Sequence, residues 1–137
     1  MIGKEKKRKL VAEAIEARKN SYCKYSGFAV GAALLTKGGN IYRGANVENA
    51  SYGLTNCAER SAIFAAVSNG EKDFQAIAIV GAPAGEKAGE ICPPCGSCRQ
   101  VMAEFADPEK FLVLLGTEGG ECRELLLKEL LPYSFGL

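Results

Sequence analysis

Cys57 and Glu59 stand two residues apart in Asn56-Cys57-Ala58-Glu59-Arg60, and Cys95 and Cys98 stand three apart in Pro94-Cys95-Gly96-Ser97-Cys98-Arg99-Gln100. Two cysteines with two residues between them can grip one Zn²⁺ from a single tight turn, at roughly 2.3 Å per sulfur. Pro94 before the pair and Gly96 inside it favour that turn. Both segments read as helix starts, where unpaired backbone N–H groups lower a thiol pKa. Cys57 adds a third sulfur from a different helix. Three protein ligands leave the fourth tetrahedral position of zinc open for water, which separates catalytic from structural zinc. Glu59 is the carboxylate placed to move protons between such a water and a substrate. Its blander reading is a charge that complements the helix N-terminus.

Three thiolates on Zn²⁺ carry excess negative charge, which must be offset before the bound water becomes acidic. Helix dipoles contribute, and Arg60 or Arg99, each just past a ligand, could donate to sulfur. The alternative to an open site is a closed four-cysteine one completed by Cys92, Cys23 or Cys122. Pro93-Pro94 makes a chelate shared by Cys92 and Cys95 awkward.

Composition narrows the chemistry further. The 137 residues contain no histidine, which removes the usual neutral-pH base and the commonest nitrogen ligand. A chain of this length fits one domain, 1–137, with a sizeable core. The net charge of +1 gives no global reason to expect nucleic acid or a membrane surface as partner. No segment approaches the roughly 20 apolar residues of a membrane span. The basic run Lys4, Lys6, Lys7, Arg8 and Lys9 is not followed by an apolar stretch long enough for a signal peptide. With three of six cysteines inside residues 92–98, metal ligation in a reducing cytosol is expected rather than three disulfides.

The elements that would position these residues can be read from periodicity. Residues 4–19 predict an amphipathic helix, although the basic run suits its N-terminus poorly. Residues 28–35 and 41–45 predict a hairpin about the Lys37-Gly38-Gly39-Asn40 turn, with small residues that could admit another layer closely. Asn46, Glu48 and Asn49 sit where the second strand ends, as turn residues or as partners for a hydroxyl-rich ligand. Thr55 or Asn56 would cap a helix running from Cys57 to about Ser68, with Ile63, Phe64, Ala66 and Val67 facing the core. Residues 74–80 read as a buried strand, and 81–91 as a flexible loop. A helix over 96–105, a strand over 111–115, a further short strand over 121–125 and a short helix over 126–131 complete the chain. Hairpin, helix, strand, helix, strand is an α/β sandwich pattern with a mixed sheet.

Asn46-Val47-Glu48-Asn49-Ala50, Cys57-Ala58-Glu59-Arg60 and residues 94–100 together closely resemble the short, tetrameric type of cytidine deaminase. The likeness runs from Tyr25-Ser26-Gly27-Phe28-Ala29-Val30-Gly31-Ala32 to Leu130-Leu131-Pro132-Tyr133-Ser134-Phe135. It implies a three-layer α/β/α sandwich with a mixed five-stranded sheet. It also implies zinc-dependent hydrolytic deamination of cytidine and deoxycytidine to uridine and deoxyuridine, with release of ammonia, in pyrimidine salvage. By the same resemblance Cys57, Cys95 and Cys98 hold one Zn²⁺ per chain, Arg60 hydrogen-bonds the thiolates, and Glu59 carries protons to N3 and then to the exocyclic amine. Asn46 and Glu48 match the pair that binds a ribose hydroxyl, Phe28 the ring against the nucleoside, and the Ala58 N–H a donor to the base carbonyl. Tyr52 joins the substrate contacts. Phe135 matches a C-terminal aromatic that reaches a neighbouring subunit's site, so a cytoplasmic homotetramer with shared sites is expected. Cys23, Cys92 and Cys122 receive no role. Blasticidin S is the rival small substrate, but Asn46-Val47-Glu48-Asn49 favours a plain ribose or deoxyribose. A polynucleotide substrate is disfavoured by the near-zero net charge and the lack of a basic, aromatic-rich segment.

Overall fold

The computed structural model describes residues 2–137. Its elements in order are α1 (Lys4–Ala17), a 3₁₀ turn (Arg18–Asn20), β1 (Phe28–Thr36), β2 (Ile41–Ala45), α2 (Ala58–Ser68), β3 (Phe74–Pro83), α3 (Gly96–Phe105), β4 (Leu112–Gly116), β5 (Cys122–Leu126) and α4 (Leu127–Leu130), with a second 3₁₀ turn at Tyr52–Leu54. The five strands form one sheet in the order β2-β1-β3-β4-β5. Only β3 and β4 run parallel; the other three pairings are antiparallel, so the sheet is mixed.

Side-chain alternation along each strand builds the two outer layers. Ala32, Leu34, Ile77, Ile79, Val113 and Leu115 face α2, α3 and α4, together with Ala62, Ile63, Ala66, Met102 and Leu127. Ala33, Leu35, Ala76, Ala78, Val80 and Leu114 face the other way, onto Leu10 and Ala14 of α1. The result is a three-layer α/β/α sandwich in which β3 is buried on both faces. Each fully buried isoleucine of β3 contributes about 1.5–3 kcal/mol relative to exposure.

Two glycines set how closely helices sit on the sheet. A Cβ at Gly31 would lie 2.0 Å from the Ala14 carbonyl oxygen, and one at Gly44 would lie 2.4 Å from both the Ala58 oxygen and the Ala62 nitrogen. Both clashes are with backbone, so a side chain at either place would push a whole helix outward. Gly44 thereby holds the first turn of α2, the turn that carries Ala58 and Glu59, against the sheet.

The structure departs from the sequence expectations at several points. The N-cap of α2 is Cys57 itself, in extended backbone, rather than Thr55 or Asn56. β3 continues through Gly81 and Ala82 to Pro83, because those residues find ladder partners in Val30, Ala29 and Phe28 of β1. Glycine and proline had marked a loop there. Phe64 is 43% exposed, since the helical turn that buries Ala62, Ile63 and Ala66 leaves its neighbour on the outer face. The lysine-rich first turn of α1 does start a helix, with Lys7 Nζ 2.6 Å from Glu124 Oε1 on β5.

Candidate metal centre and substrate site

α2 and α3 begin at the same end of the sheet, and each begins with a cysteine. Cys57 and Cys95 are the N-caps of α2 and α3, and Cys98 lies in the first turn of α3. The Cys98 N–H donates to Cys95 Sγ at 3.4 Å, which fixes the turn. The Cys57 and Cys95 sulfurs are 3.8 Å apart and the Cys95 and Cys98 sulfurs 3.3 Å. All three lie within 4.8 Å of one another, the only such group among the described residues. Sulfurs held tetrahedrally at roughly 2.3 Å from zinc are about 3.8 Å apart. The trio therefore fits one zinc ion per chain.

Charge around the sulfurs tells the same story. Hydrogen bonding from Cys98, assisted by Arg60, holds the Cys57 thiol down at about 5. Cys98 moves the opposite way, raised by its hydrogen bond to Cys57 and by burial. Cys57 and Cys98 titrate as a coupled pair, and a bound cation would favour the ionised form of both. Arg60 Nη2 donates to Cys57 Sγ at 3.2 Å, while Arg60 Nε is buried without a partner. A guanidinium donating to Cys57 suits a sulfur set with more negative charge than protonated thiols carry. Arg99, the other candidate donor, instead binds the carbonyls of Pro94 and Leu130 and braces α3 from behind.

Glu59 is 4% exposed in the first turn of α2. Burial pushes its carboxyl up to about 7, with the nearby Cys57 charge adding to the rise. A carboxyl poised near neutrality can both take and give a proton.

Asn46 and Glu48 leave the end of β2 and are 8% and 5% exposed. Asn46 Oδ1 accepts from the Val30 N–H at 2.9 Å and from the Ser21 hydroxyl, and its Nδ2 donates to the Phe28 carbonyl at 2.9 Å. Glu48 Oε1 accepts the N–H groups of Tyr25 and Ser26, each at 3.0 Å, and Oε2 accepts the Ser26 hydroxyl. The Ser26 hydroxyl and the two amides hold the Glu48 carboxyl below the usual range. Asn49 is a turn residue: its Oδ1 accepts the Ser51 N–H.

The sequence profile of the family described as "Cytidine and deoxycytidylate deaminase zinc-binding region" matches residues 4–114. The chain belongs to this deaminase family. It is 53% identical over 126 residues to a cytidine deaminase of Halalkalibacterium halodurans, covering 92% of this chain and 91% of that one. It also matches the crystal structure of cytidine deaminase from Burkholderia pseudomallei, with a TM-score of 0.85, 45% identity and coverage of 93% and 98%. A blasticidin-S deaminase of Bacillus cereus is 35% identical over 109 residues, 77% of this chain and 76% of that one.

Within this member of the deaminase family the remaining expected site residues are distributed unevenly. Ala58, as the first residue of α2, has an N–H with no intrahelical acceptor. Phe28 begins β1 and packs beside Gly81 and Cys92: a Cβ at Gly81 would meet Cys92 Sγ at 2.8 Å and the Phe28 ring at 3.1 Å. Cys92 is thus packing rather than a fourth ligand, and burial lifts its thiol to about 11. Tyr52 and Phe135 are 63% and 69% exposed in the single chain. Sequence reasoning missed Ser21 and Ser26, which hold Asn46 and Glu48. Serine in a loop reads only as turn composition, so nothing local signalled them.

Proposed function

We propose that the chain catalyses hydrolytic deamination of cytidine and deoxycytidine with one zinc ion, and that residues 1–137 act as one domain. The observation that carries this is the convergence of the Cys57, Cys95 and Cys98 sulfurs beside the buried Glu59, in a chain of the deaminase family. In this reading the three cysteines are the metal ligands, and Arg60 moderates their charge. When bound, zinc supplies Lewis-acid activation of a water nucleophile near neutral pH. Glu59 takes the first proton from that water and delivers it to N3 as oxygen adds to C4. It then takes the remaining hydroxyl proton and hands it to the exocyclic amine, which leaves as ammonia and restores the C4 carbonyl. The free Ala58 N–H is the donor for the base carbonyl, and the Phe28 ring is the wall against the base.

Hydrogen-bond capacity supports the sugar assignment. An amide nitrogen has two N–H donors and an ionised carboxylate about four acceptor positions. After the internal bonds of Asn46 and Glu48, one donor remains on Asn46 and one acceptor position on Glu48. One sugar hydroxyl, which both accepts and donates, satisfies both. Nothing on this pair is left over for a second hydroxyl, which favours ribose and 2′-deoxyribose alike. The direct test follows the fall in cytosine absorbance and release of ammonia with cytidine, deoxycytidine and blasticidin S. The two nucleosides should be consumed, chelation should stop both, and added zinc should restore them. A zinc-loaded chain inert toward both would end this reading.

Exposed side chains bear on assembly. Val47, Tyr52, Leu54, Phe64 and Phe135 are large apolar or aromatic residues between 43% and 71% exposed. A contiguous patch of such residues would mark a protein–protein contact. We propose a homotetramer in which Tyr52 and Phe135 complete neighbouring sites, working in pyrimidine salvage in the cytoplasm, where thiolate ligands stay reduced. Light scattering should return about four times the 14.5 kDa chain mass. A fully active monomer would remove Phe135 from the site.

A further inference from the structure

We infer that Ser26 is a positioning residue that aims the remaining acceptor position of Glu48 at the sugar hydroxyl. The inference rests on the reading of Asn46 and Glu48 as the sugar-binding pair. It starts from a question of geometry: what fixes the plane of the Glu48 carboxylate? The N–H groups of Tyr25 and Ser26 both reach Oε1, at 3.0 Å each. They restrain the carboxylate through one oxygen only, and its last torsion is otherwise broad and soft. The contact that closes this freedom is Ser26 Oγ to Oε2 at 2.5 Å. With both oxygens held from one side, the unused lone pair has a single direction.

The serine hydroxyl is itself oriented. Its oxygen accepts the Phe28 N–H at 3.0 Å. An ionised carboxylate can only accept. The Ser26 proton must therefore point at Glu48, and the relay runs one way: Phe28 N–H to Ser26 Oγ, Ser26 O–H to Glu48 Oε2. Asn46 holds the carbonyl of the same Phe28 through Nδ2. The backbone of the residue assigned to the base wall is thus tied on its N–H side to one sugar-binding residue and on its carbonyl side to the other. A serine that merely shaped the turn between Gly27 and β1 would have the Phe28 bond and no need of the Glu48 bond.

The test compares cytidine with 2′,3′-dideoxycytidine, which lacks both sugar-ring hydroxyls, in the zinc-loaded full chain. In Ser26→Ala, kcat/KM for cytidine should fall about tenfold, mainly through KM, the effect of mis-aiming one hydrogen bond to a charged group. The value for dideoxycytidine should fall clearly less, because only the Phe28 N–H bond is lost there and no hydroxyl is present to be mis-aimed. Ser26→Thr, which keeps the hydroxyl, should restore the cytidine value. Equal losses for the two nucleosides would reduce Ser26 to a turn residue, and an unchanged cytidine value would dismiss it altogether. Glu48→Gln separates the two levels of the argument. If that variant keeps the full preference for cytidine over dideoxycytidine, the sugar-pair reading falls and this inference with it. If Glu48→Gln abolishes the preference while Ser26→Ala preserves it, the role of Ser26 alone is overturned.

Discussion

Glu59→Gln should lose activity by at least the roughly 10²–10⁴-fold that positioned acid–base groups contribute, while keeping its zinc and its fold. Glutamine has the same shape, so the buried side of α2 stays packed. It is also neutral, and this matters at a position 4% exposed. Burial raises the Glu59 carboxyl to about 7, so the folded chain binds its proton more tightly than the unfolded chain does. Glu59 then stabilises folding least above that value, where its charge must be buried, and the neutral amide removes this cost at neutral pH. In the proposed reaction the variant should lose only the ability to accept a proton from water and give it to N3 and the amine. Turnover, zinc per chain and Tm measured on the same sample decide the matter. A folded, zinc-loaded Glu59→Gln enzyme with undiminished turnover would take Glu59 out of the reaction.

Replacing Cys98 by serine should remove the metal, and with it all turnover. Cys98 is fully buried and its sulfur lies 3.3 Å from that of Cys95. A serine hydroxyl is shorter, and it does not ionise readily enough to replace a thiolate on zinc. Changes outside the ligand shell of zinc sites typically cost 10–100-fold in affinity or activity, and loss of a ligand should exceed the upper end of that range. Cys92→Ser is the matched control. That thiol packs under Gly81 beside the Phe28 ring and stands apart from the sulfur trio, so its removal should leave about one zinc per chain. Metal analysis of the two variants should therefore diverge. Retention of zinc by Cys98→Ser, or its loss from Cys92→Ser, would redraw the ligand set.

The two expectations differ in how early they could be formed. Cys57, Glu59, Cys95 and Cys98 were visible as chemistry because metal ligation and proton transfer demand particular side chains at short spacings, and because histidine is absent. The helices that start at those cysteines, the hairpin and the buried β3 and β4 also follow from local pattern. Errors clustered where tertiary pairing overrode a local signal. Gly81 and Pro83 read as a loop until β1 supplied partners, and Phe64 read as core until the exact face of α2 against the sheet was known.

By itself the sequence determined the inventory: three thiolates, one carboxylate, one arginine beside them, and an alternating α/β frame to carry them. The tertiary structure brings the three together, since residues 57 and 95 meet through the packing of α2 and α3 on one face of the sheet, and it keeps the other cysteines out of the group. It likewise decided that Arg60 rather than Arg99 faces sulfur, and that Ser26, 22 residues from Glu48 along the chain, holds its carboxylate. The physical reason is range. Ligand type and helix starts are set by neighbours in sequence, whereas hydrogen-bond direction and the coupled titration of Cys57 and Cys98 depend on groups that only folding brings within reach.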